Sequence, residues 1–250
     1  MFSLYLECPA EQRDELSAEL YGRGTLGILE LPSGLRAWFD EGVDIADIAA
    51  KFDGAMTPEP DHDWAQETHD AFPPFAIGEK FWLTPPWNLE PAPDGRIRLE
   101  INPGAACGTG WHECTQMCLE SLERFVTPGC SVLDVGTGSG ILSVAAKLLG
   151  AGRVIACDID ADAVVIARER LGCNTAYAGS AGAVAADAFD IVVANISPEA
   201  IQELATELRR VAKAKSHIIL SGFAEFPLDA VPFETHRRGA WQCAIIEQFN

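Results

Sequence analysis

The residues best suited to bind a small ligand are three glycines at alternate positions, Gly136, Gly138 and Gly140. A predicted buried strand at 132–135, with the sequence Val-Leu-Asp-Val, leads into them, and a helical pattern begins at Ile141. Glycine lets the main chain pass close to a ligand where a Cβ atom would collide. The dinucleotide-binding fingerprint requires a further glycine at the position of Ile141. The loop therefore predicts a small-molecule site, but not one for NAD.

Two carboxylates are spaced to serve this loop. Asp134 precedes the first glycine by two residues, and Asp158 ends the next predicted strand. The arrangement is similar to the first motif of S-adenosylmethionine (SAM) methyltransferases, in which one acid helps to hold the cationic methionyl part and another accepts the ribose hydroxyls. A neutral group at 158 would lose roughly 1 kcal/mol or more of charge-assisted bonding. The alternative is a structural turn with Asp158 capping the next helix, although Asp160 suits that cap better.

Two polar positions follow other predicted strands. Asn195 ends the run FDIVVAN, at the carboxyl edge where open α/β sheets bind ligands. Ser197 and Pro198 predict the N-cap and first turn of the next helix. The sequence Asn-Ile-Ser-Pro differs from the Asn/Asp-Pro-Pro-aromatic motif of enzymes that methylate nucleic-acid amino groups or glutamine, which argues against those substrates. Ser180 follows the third strand, where methyltransferases contact adenine, but this signal is weak by itself.

The elements that must position these residues alternate along residues 96–250. Short β-rich runs, SVLDV, RVIACD, FDIVVAN and HIILSGF, are separated by helical stretches such as ILSVAAKLLG and ADAVVIARERLG. Apolar residues on both faces of the central strands indicate a mostly parallel sheet covered by helices. The last run, WQCAIIEQF, alternates in polarity and predicts an antiparallel strand at the sheet edge.

The front of the chain has a different pattern. Residues 1–57 predict strand, helix, strand, strand and helix, an order that suggests a ferredoxin-like module, although no final strand is evident. Residues 58–95 hold eight of the 15 prolines and three of the six tryptophans. This composition predicts a Pro/Trp-rich linker that partly packs against a domain. We therefore divide the chain into 1–57, 58–95 and 96–250.

Composition and charge exclude several classes. The 250 residues are 48% hydrophobic and carry a net charge of −19, which disfavours direct nucleic-acid binding and favours a basic partner. No apolar run of about 20 residues predicts a membrane span, and the N-terminus lacks a signal-peptide pattern. Eight cysteines without an export signal indicate reduced thiols and a cytoplasmic location. We expect a monomer that does not bind membranes.

The run EINPGAACGTGWHECT at 100–115 resembles the E-P-G-x-A-F-G-T-G-x-H-E-T-T segment of the PrmA family, the methyltransferases of large-subunit ribosomal protein L11. The cofactor loop, the CDIDADAV run and FPPFAIGEKFWLTPPW are similar to further segments of the same family. The likeness therefore extends from about residue 60 to 222. Cys107 replaces the family's Phe, Cys114 replaces the first Thr of its Thr-Thr pair, and Trp111 is bulkier than expected. These changes bear on substrate choice more than on SAM binding.

The resemblance implies a Rossmann-like class I SAM methyltransferase domain, an α/β fold with a doubly wound, mostly parallel sheet and an antiparallel edge strand, after a small α+β ferredoxin-like domain that captures the substrate. It implies methyl transfer to lysine and α-amino nitrogens of a basic ribosomal protein, with S-adenosylhomocysteine as product and no metal. Position by position, it assigns Gly108, Thr109, Gly110, His112 and Thr115 to a cofactor lid. It assigns the pocket to Asp134, Gly136, Thr137, Gly138, Asp158, Ile159, Ser180 and Asn195.

Catalysis by such a site depends on alignment and desolvation, because methyl transfer from a sulfonium is an in-line displacement. A free lysine is neutral only about once in a thousand at physiological pH, a cost of roughly 4 kcal/mol. Burial beside a cationic cofactor lowers the lysine pKa, so no dedicated base is required. We expect Asn195 and Ile196 to orient the amine, through a main-chain carbonyl at either residue and the Asn195 side-chain amide.

Some alternatives stay open. His112 is a lid residue near the cofactor, a structural histidine, or a metal ligand with Cys107, Cys114 and Cys118, whose spacing is not that of a zinc knuckle. The chain as a whole is a protein methyltransferase, a methyltransferase of a small molecule or another protein, or a SAM- or nucleotide-binding module without catalysis.

Overall fold

The computed structural model describes residues 1–9, 12–31, 33–52, 54–58, 70, 72–103, 110–172, 175–229 and 232–248. The chain divides into two compact units, residues 1–68 and 69–250. The sequence had indicated boundaries after residues 57 and 95. Part of the segment predicted to be a linker forms strands that belong to the second unit, as described below.

The described residues of the first unit form a four-stranded antiparallel sheet and two helices. Its elements are β1 (Phe2–Glu7), α1 (Arg13–Gly22), β2 (Gly27–Leu31), β3 (Gly34–Phe39), α2 (Ala46–Lys51) and β4 (Ala55–Pro58). The strand order β2-β3-β1-β4 is the ferredoxin-like order that the sequence suggested. The final strand, β4, pairs with β1. It was not evident in the sequence because its four residues are all exposed, so no alternation of buried and exposed side chains marks it.

The core of this unit lies on one face of the sheet. Alternate residues of β1 and β3, including Leu4, Leu6 and Phe39, pack there against the helices and are fully buried. Helix α2 contributes to this core, since Ile48 is buried and Phe52, at its C-terminal end, packs against the same cluster.

A small sheet begins the second unit. It contains β5 (Phe75–Ile77), β6 (Phe81–Thr84) and β7 (Ile97–Glu100), in the order β5-β6-β7. The carboxylate of Glu123 accepts hydrogen bonds from the main-chain N–H groups of Glu79, Lys80 and Phe81, at 2.8, 3.0 and 3.2 Å. One side chain thus anchors the turn between β5 and β6 to a helix of the main domain.

The main domain has seven strands: β8 (Ser131–Val135), β9 (Arg153–Asp158), β10 (Ala176–Ala178), β11 (Phe189–Asn195), β12 (Ala212–Phe223), β13 (Glu234–Arg238) and β14 (Trp241–Glu247). Their order is β10-β9-β8-β11-β12-β14-β13. The pairs from β10 to β12 are parallel, and β14 is antiparallel to both neighbours. Its helices are α3 (Glu113–Phe125), α4 (Ile141–Leu148), α5 (Ala161–Leu171) and α6 (Pro198–Val211).

The strands predicted from the sequence at β8, β9 and β11 have the observed bounds. The prediction that the last apolar run forms the edge strand of the sheet was wrong. The run WQCAIIEQF contributes β14, which is antiparallel as predicted but lies one position inside the edge. The edge strand is β13, whose residues ETHRR are half-buried or exposed. Such a polar strand carries no apolar signal, and it is recognised only by its pairing with β14.

Helices cover both faces of the main sheet. Val132 of β8 faces a cluster built with α3 and α4, whereas Leu133 and Val135 face a cluster built with α6. The chain reverses its direction of winding between β8 and β11, so their carboxyl ends open a crevice at the topological switch point. Within the described ranges, no helix is both long enough and apolar enough to cross a membrane.

Candidate active site

A cavity of about 350 Å³ lies at the carboxyl ends of β8, β9 and β11. This volume falls within the range of small-molecule sites. One part of the wall comes from strand ends and loops, and the other from apolar side chains of α4 and α6. The wall comprises Thr115, Val135, Gly136, Thr137, Gly138, Ile141, Leu142, Asp158, Ile159, Gly179, Ser180, Asn195, Ile196, Ser197, Ala200 and Leu204.

The glycine turn forms the floor of this cavity. Gly136, Gly138 and Gly140 have φ of 73°, 50° and 74°, a left-handed conformation that other residues rarely adopt. The N–H groups of Gly136 and Thr137 both donate to the carbonyl of Cys157, at 2.8 and 3.1 Å. The turn is thereby fixed to β9. A Cβ atom on Gly136 would lie 2.2 Å from Ile196 Cγ2, so glycine is required by space as well as by conformation.

Asp134 lies beneath the turn and not on the cavity wall. It is fully buried, and its Oδ2 accepts hydrogen bonds from Thr137 Oγ1 at 2.8 Å and from Ser143 Oγ at 2.7 Å. Its Oδ1 has no hydrogen-bond partner within the described part of the chain. Burial raises the pKa of Asp134 to about 6, although the hydrogen bonds from Ser143 and Thr137 oppose that rise. A cation bound above the turn would stabilise the ionised carboxylate.

Asp158 presents its carboxylate at the cavity wall. Its Oδ2 accepts from the Gly138 N–H at 2.9 Å, and its Oδ1 accepts from the Asp160 N–H at 3.0 Å. The N-cap of α5 is Asp160, as predicted, since its side chain accepts from the Asp162 N–H at 2.9 Å. Asp158 is therefore oriented by the glycine turn and remains half-exposed toward a ligand.

Asn195 and Ile196 form the wall at the end of β11. Asn195 Nδ2 donates to Thr115 Oγ1 at 3.2 Å, so the amide oxygen is the acceptor that this arrangement offers to a ligand. The Ile196 N–H donates to the Ser221 carbonyl at 3.1 Å. The Ile196 carbonyl packs on Gly222, where a Cβ atom would come within 2.1 Å of it. Ser197 caps α6 by accepting from the Ala200 N–H, as the sequence predicted.

The remaining predicted pocket residues are Ile159 and Ser180. Ile159 is 89% exposed and Ser180 is half-buried, and both line the cavity. The Tyr177 hydroxyl donates to the Ser180 carbonyl at 2.9 Å, which fixes that segment of the wall.

The predicted lid residues are only partly brought to the cavity. Thr115 lines it, and Gly110 is buried close to Leu83 and to Ile141 of the wall. His112 does not line the cavity: it is exposed, caps α3 by accepting from the Cys114 N–H at 3.3 Å, and meets the Trp241 ring edge-on at 4.9 Å. Its contact with a cofactor stays a prediction. Gly108, Thr109 and Cys107 lie outside the described residues.

Two of the cysteines proposed as alternative metal ligands lie in the core. Cys114 and Cys118 are buried, and burial raises the pKa of the Cys114 thiol. Over the part of the chain that the structure describes, no three His, Cys, Asp or Glu side chains form a group that could hold a metal ion.

Sequence reasoning missed the apolar half of the wall and the support beneath the turn. Leu204 lines the cavity from the second turn of α6, and Ser143 holds Asp134. Leu142 and Ala200 line it from the first turns of α4 and α6. Their signal is their position, because the first turn of a helix that follows a strand end faces the same crevice.

The strand order, the glycine turn after β8, the carboxylate at the end of β9 and the polar end of β11 define a class I methyltransferase fold. The predicted fold class is confirmed. The family model described as ribosomal protein L11 methyltransferase (PrmA) matches residues 41–246, so the chain belongs to this family.

Two relatives carry the same description. The ribosomal protein L11 methyltransferase of Burkholderia multivorans is 43% identical over 187 residues, which cover 74% of this chain and 61% of the relative. That of Geobacter sulfurreducens is 38% identical over 253 residues, covering 88% of this chain and 83% of the relative. The chain thus spans about three fifths of the Burkholderia protein.

A solved structure has the same architecture. The ribosomal protein L11 methylase of Lactobacillus delbrueckii subsp. bulgaricus superposes with a TM-score of 0.63 at 27% identity. The match covers 71% of this chain and 99% of that chain.

Proposed function

We propose that this chain is a SAM-dependent methyltransferase that modifies amino groups of ribosomal protein L11. The observation that carries the proposal is the pair of carboxylates at the glycine turn. Asp134 is fully buried with one oxygen unpartnered within the described residues, and Asp158 stands half-exposed at the wall. A cationic nucleoside complements this pair of carboxylates. Its positively charged group requires a negative potential, and its ribose hydroxyl groups require hydrogen-bond acceptors.

The residues at the turn fit such a ligand. We assign ribose binding to Asp158, the close main-chain approach to Gly136 and Gly138, and the adenine side of the cavity to Ile159 and Ser180. Asp134 contributes its charge from beneath the turn. When bound, SAM supplies a methyl group on a positively charged sulfur.

We assign binding of the methyl-accepting amine to the residues at the end of β11. The Asn195 amide oxygen and the main-chain carbonyl of Asn195 or Ile196 accept hydrogen bonds from an incoming amine and aim its lone pair. The apolar wall, with Leu142 and Leu204, excludes water and favours the neutral amine over the ammonium. The protein's contribution is therefore orientation and desolvation.

The substrate assignment is supported by the relatives and by charge. The relatives named above are described as methyltransferases of ribosomal protein L11. In this chain, residues 1–68 contain 15 acidic and 4 basic residues, a net charge of −11 out of −19. An acidic unit attracts a basic protein such as a ribosomal component. We assign capture of the substrate to this unit and a cytoplasmic location to the enzyme.

Isotope transfer tests the proposal. The full chain is incubated with methyl-labelled SAM and ribosomal protein L11 purified in an unmethylated form, with Asn195→Ala as the control. Label on the protein supports the assignment. Label in a small product of a cell extract identifies a small-molecule methyltransferase, SAM binding without transfer identifies a binding module, and no SAM binding overturns all three assignments.

A further inference from the structure

Arg170 of α5 bridges two main-chain carbonyls that are far apart in the sequence. Its Nη1 donates to the Ser139 carbonyl at 2.6 Å, and its Nη2 donates to the Glu100 carbonyl. The side chain is half-buried, and burial lowers the pKa of Arg170. A guanidinium presents several donors in a fixed plane, so it can hold two acceptors at a defined separation.

The first of these carbonyls belongs to the glycine turn. Ser139 lies between Gly138 and Gly140, whose φ values are positive and whose conformation a side chain does not restrict. Asp158 accepts from the Gly138 N–H at 2.9 Å, and Arg170 donates to the Ser139 carbonyl. Asp158 at the end of β9 and Arg170 in α5 therefore hold two neighbouring residues of the turn. Asp158 accepts a hydrogen bond from Gly138, and Arg170 donates one to Ser139.

The second carbonyl belongs to the last residue of a strand in the small sheet. Glu100 is the last residue of β7, and the chain next leads toward Gly110, which is buried close to Ile141. Ile141 is the first residue of α4 and lines the cavity immediately after the glycine turn. Through Arg170, the end of β7 is tied to the turn on which the proposed cofactor would rest.

We propose that Arg170 is a positioning residue for cofactor binding. It holds the Ser139 and Glu100 carbonyls together and thereby keeps the glycine turn in the conformation in which the Gly138 N–H meets Asp158. Arg170 does not line the cavity and acts through the turn. The inference rests on the proposed function for the identity of the ligand.

Replacement of Arg170 by lysine is the direct test. Lysine keeps the charge and the aliphatic stem, but its single nitrogen cannot span both carbonyls. We expect Arg170→Lys to weaken SAM binding at least tenfold by calorimetry and to raise the KM for SAM, with kcat at saturating SAM within twofold of wild type. Arg170→Gln, measured in parallel, provides a second variant if one of them fails to fold.

Arg96→Lys is the control at a main-chain bridge away from the site, because Arg96 Nη1 donates to the carbonyls of Gly78 at 3.2 Å and Phe81 at 2.8 Å. Neither of these residues lines the cavity. We expect this variant to keep the SAM affinity of wild type. Equal SAM affinity in wild type and folded Arg170 variants, or equal losses in the Arg170 and Arg96 variants, would overturn this inference alone. Failure of the wild-type chain to bind SAM would overturn the proposed function as well.

Discussion

Asn195 Nδ2 donates to Thr115 Oγ1 at 3.2 Å, which joins the end of β11 to the first turn of α3 across 80 residues of sequence. Thr115 is only 1% exposed, so its hydroxyl is held in place by the surrounding core. The plane of the Asn195 amide is therefore set by another element and not by β11 alone. Under the proposed function, this relationship determines which acceptor the strand end presents to an incoming amine.

We expect Thr115→Val to lower kcat about tenfold, the equivalent of one lost hydrogen bond that orients a reacting group. The KM for SAM should change less than twofold, because the wall keeps its shape. Steady-state kinetics with labelled SAM and ribosomal protein L11 measure both constants. Thr115→Ser keeps the hydroxyl and serves as the control, with kcat near that of wild type. Unchanged turnover in Asn195→Ala would remove the proposed role of this amide.

Asp158→Asn should weaken SAM binding about tenfold or more, because a neutral amide accepts weaker hydrogen bonds from ribose hydroxyls than a carboxylate does. Calorimetric titration of the variant measures the loss. Asp160→Asn provides the matched control, since it removes the same charge two residues away and asparagine is an equally good helix N-cap. Equal losses in both variants would show that general electrostatics, and not contact at 158, explain the effect.

Gly136→Ala should destabilise the fold by about 2–4 kcal/mol. Roughly 1 kcal/mol comes from placing a Cβ atom at positive φ, and the remainder from its clash with Ile196. Urea unfolding gives the free energy of unfolding. In Gly129→Ala, where φ is 85° and nothing lies within 4 Å of the added Cβ, only the conformational part applies. A second change, Ile196→Ala, should recover part of the loss at Gly136, and failure to do so would argue against the clash.

Asp134 should make the folded state less stable as the pH rises from about 4 to 6. The pKa of Asp134 is about 6 in the folded chain, above its ordinary value of 3.8, so the folded state binds the additional proton in this range. The stability present below pH 4 is therefore lost as pH rises through the folded pKa, by roughly 3 kcal/mol in total. Denaturant unfolding of wild type and Asp134→Asn between pH 4 and 7 measures this.

The asparagine variant cannot ionise and should lack this component. Its stability relative to wild type should therefore increase with pH and reach a plateau above about pH 7. Parallel curves for the two proteins would contradict a raised pKa at Asp134. SAM binding by Asp134→Asn, measured at pH 7.5, should be weaker than wild type, because the variant places no negative charge beneath the turn.

The sequence predicted the polar half of the site because that half depends on local chemistry. A glycine turn, an acid at a strand end and the helix caps at Asp160 and Ser197 each depend on residues close together in the chain. The partner of Asn195 could not be predicted in this way, since Thr115 reaches it only through the packing of α3 against the sheet. The position of Asp134 beneath the turn likewise depends on burial, which spacing does not report.

The edges of the fold were harder to predict than its centre. Buried strands such as β8 and β11 consist mostly of apolar residues, whereas the residues of β4 and β13 are half-buried or exposed. Their residues satisfy hydrogen bonds to a neighbouring strand and contribute little to the core, so no hydrophobic pattern marks them. The anchoring of the β5–β6 turn by Glu123 is similarly invisible, because 42 residues separate the carboxylate from Phe81.

Ile196 is confined by two glycines. Its Cγ2 occupies the space above Gly136, and its carbonyl occupies the space above Gly222. A Cβ atom at Gly136 would therefore displace the Ile196 side chain, and a Cβ atom at Gly222 would displace the Ile196 main chain. Under the proposed function, a bulkier methyl-donor analogue is best accommodated at the helical wall, where a shorter side chain at Leu204 enlarges the cavity and leaves the strand ends intact.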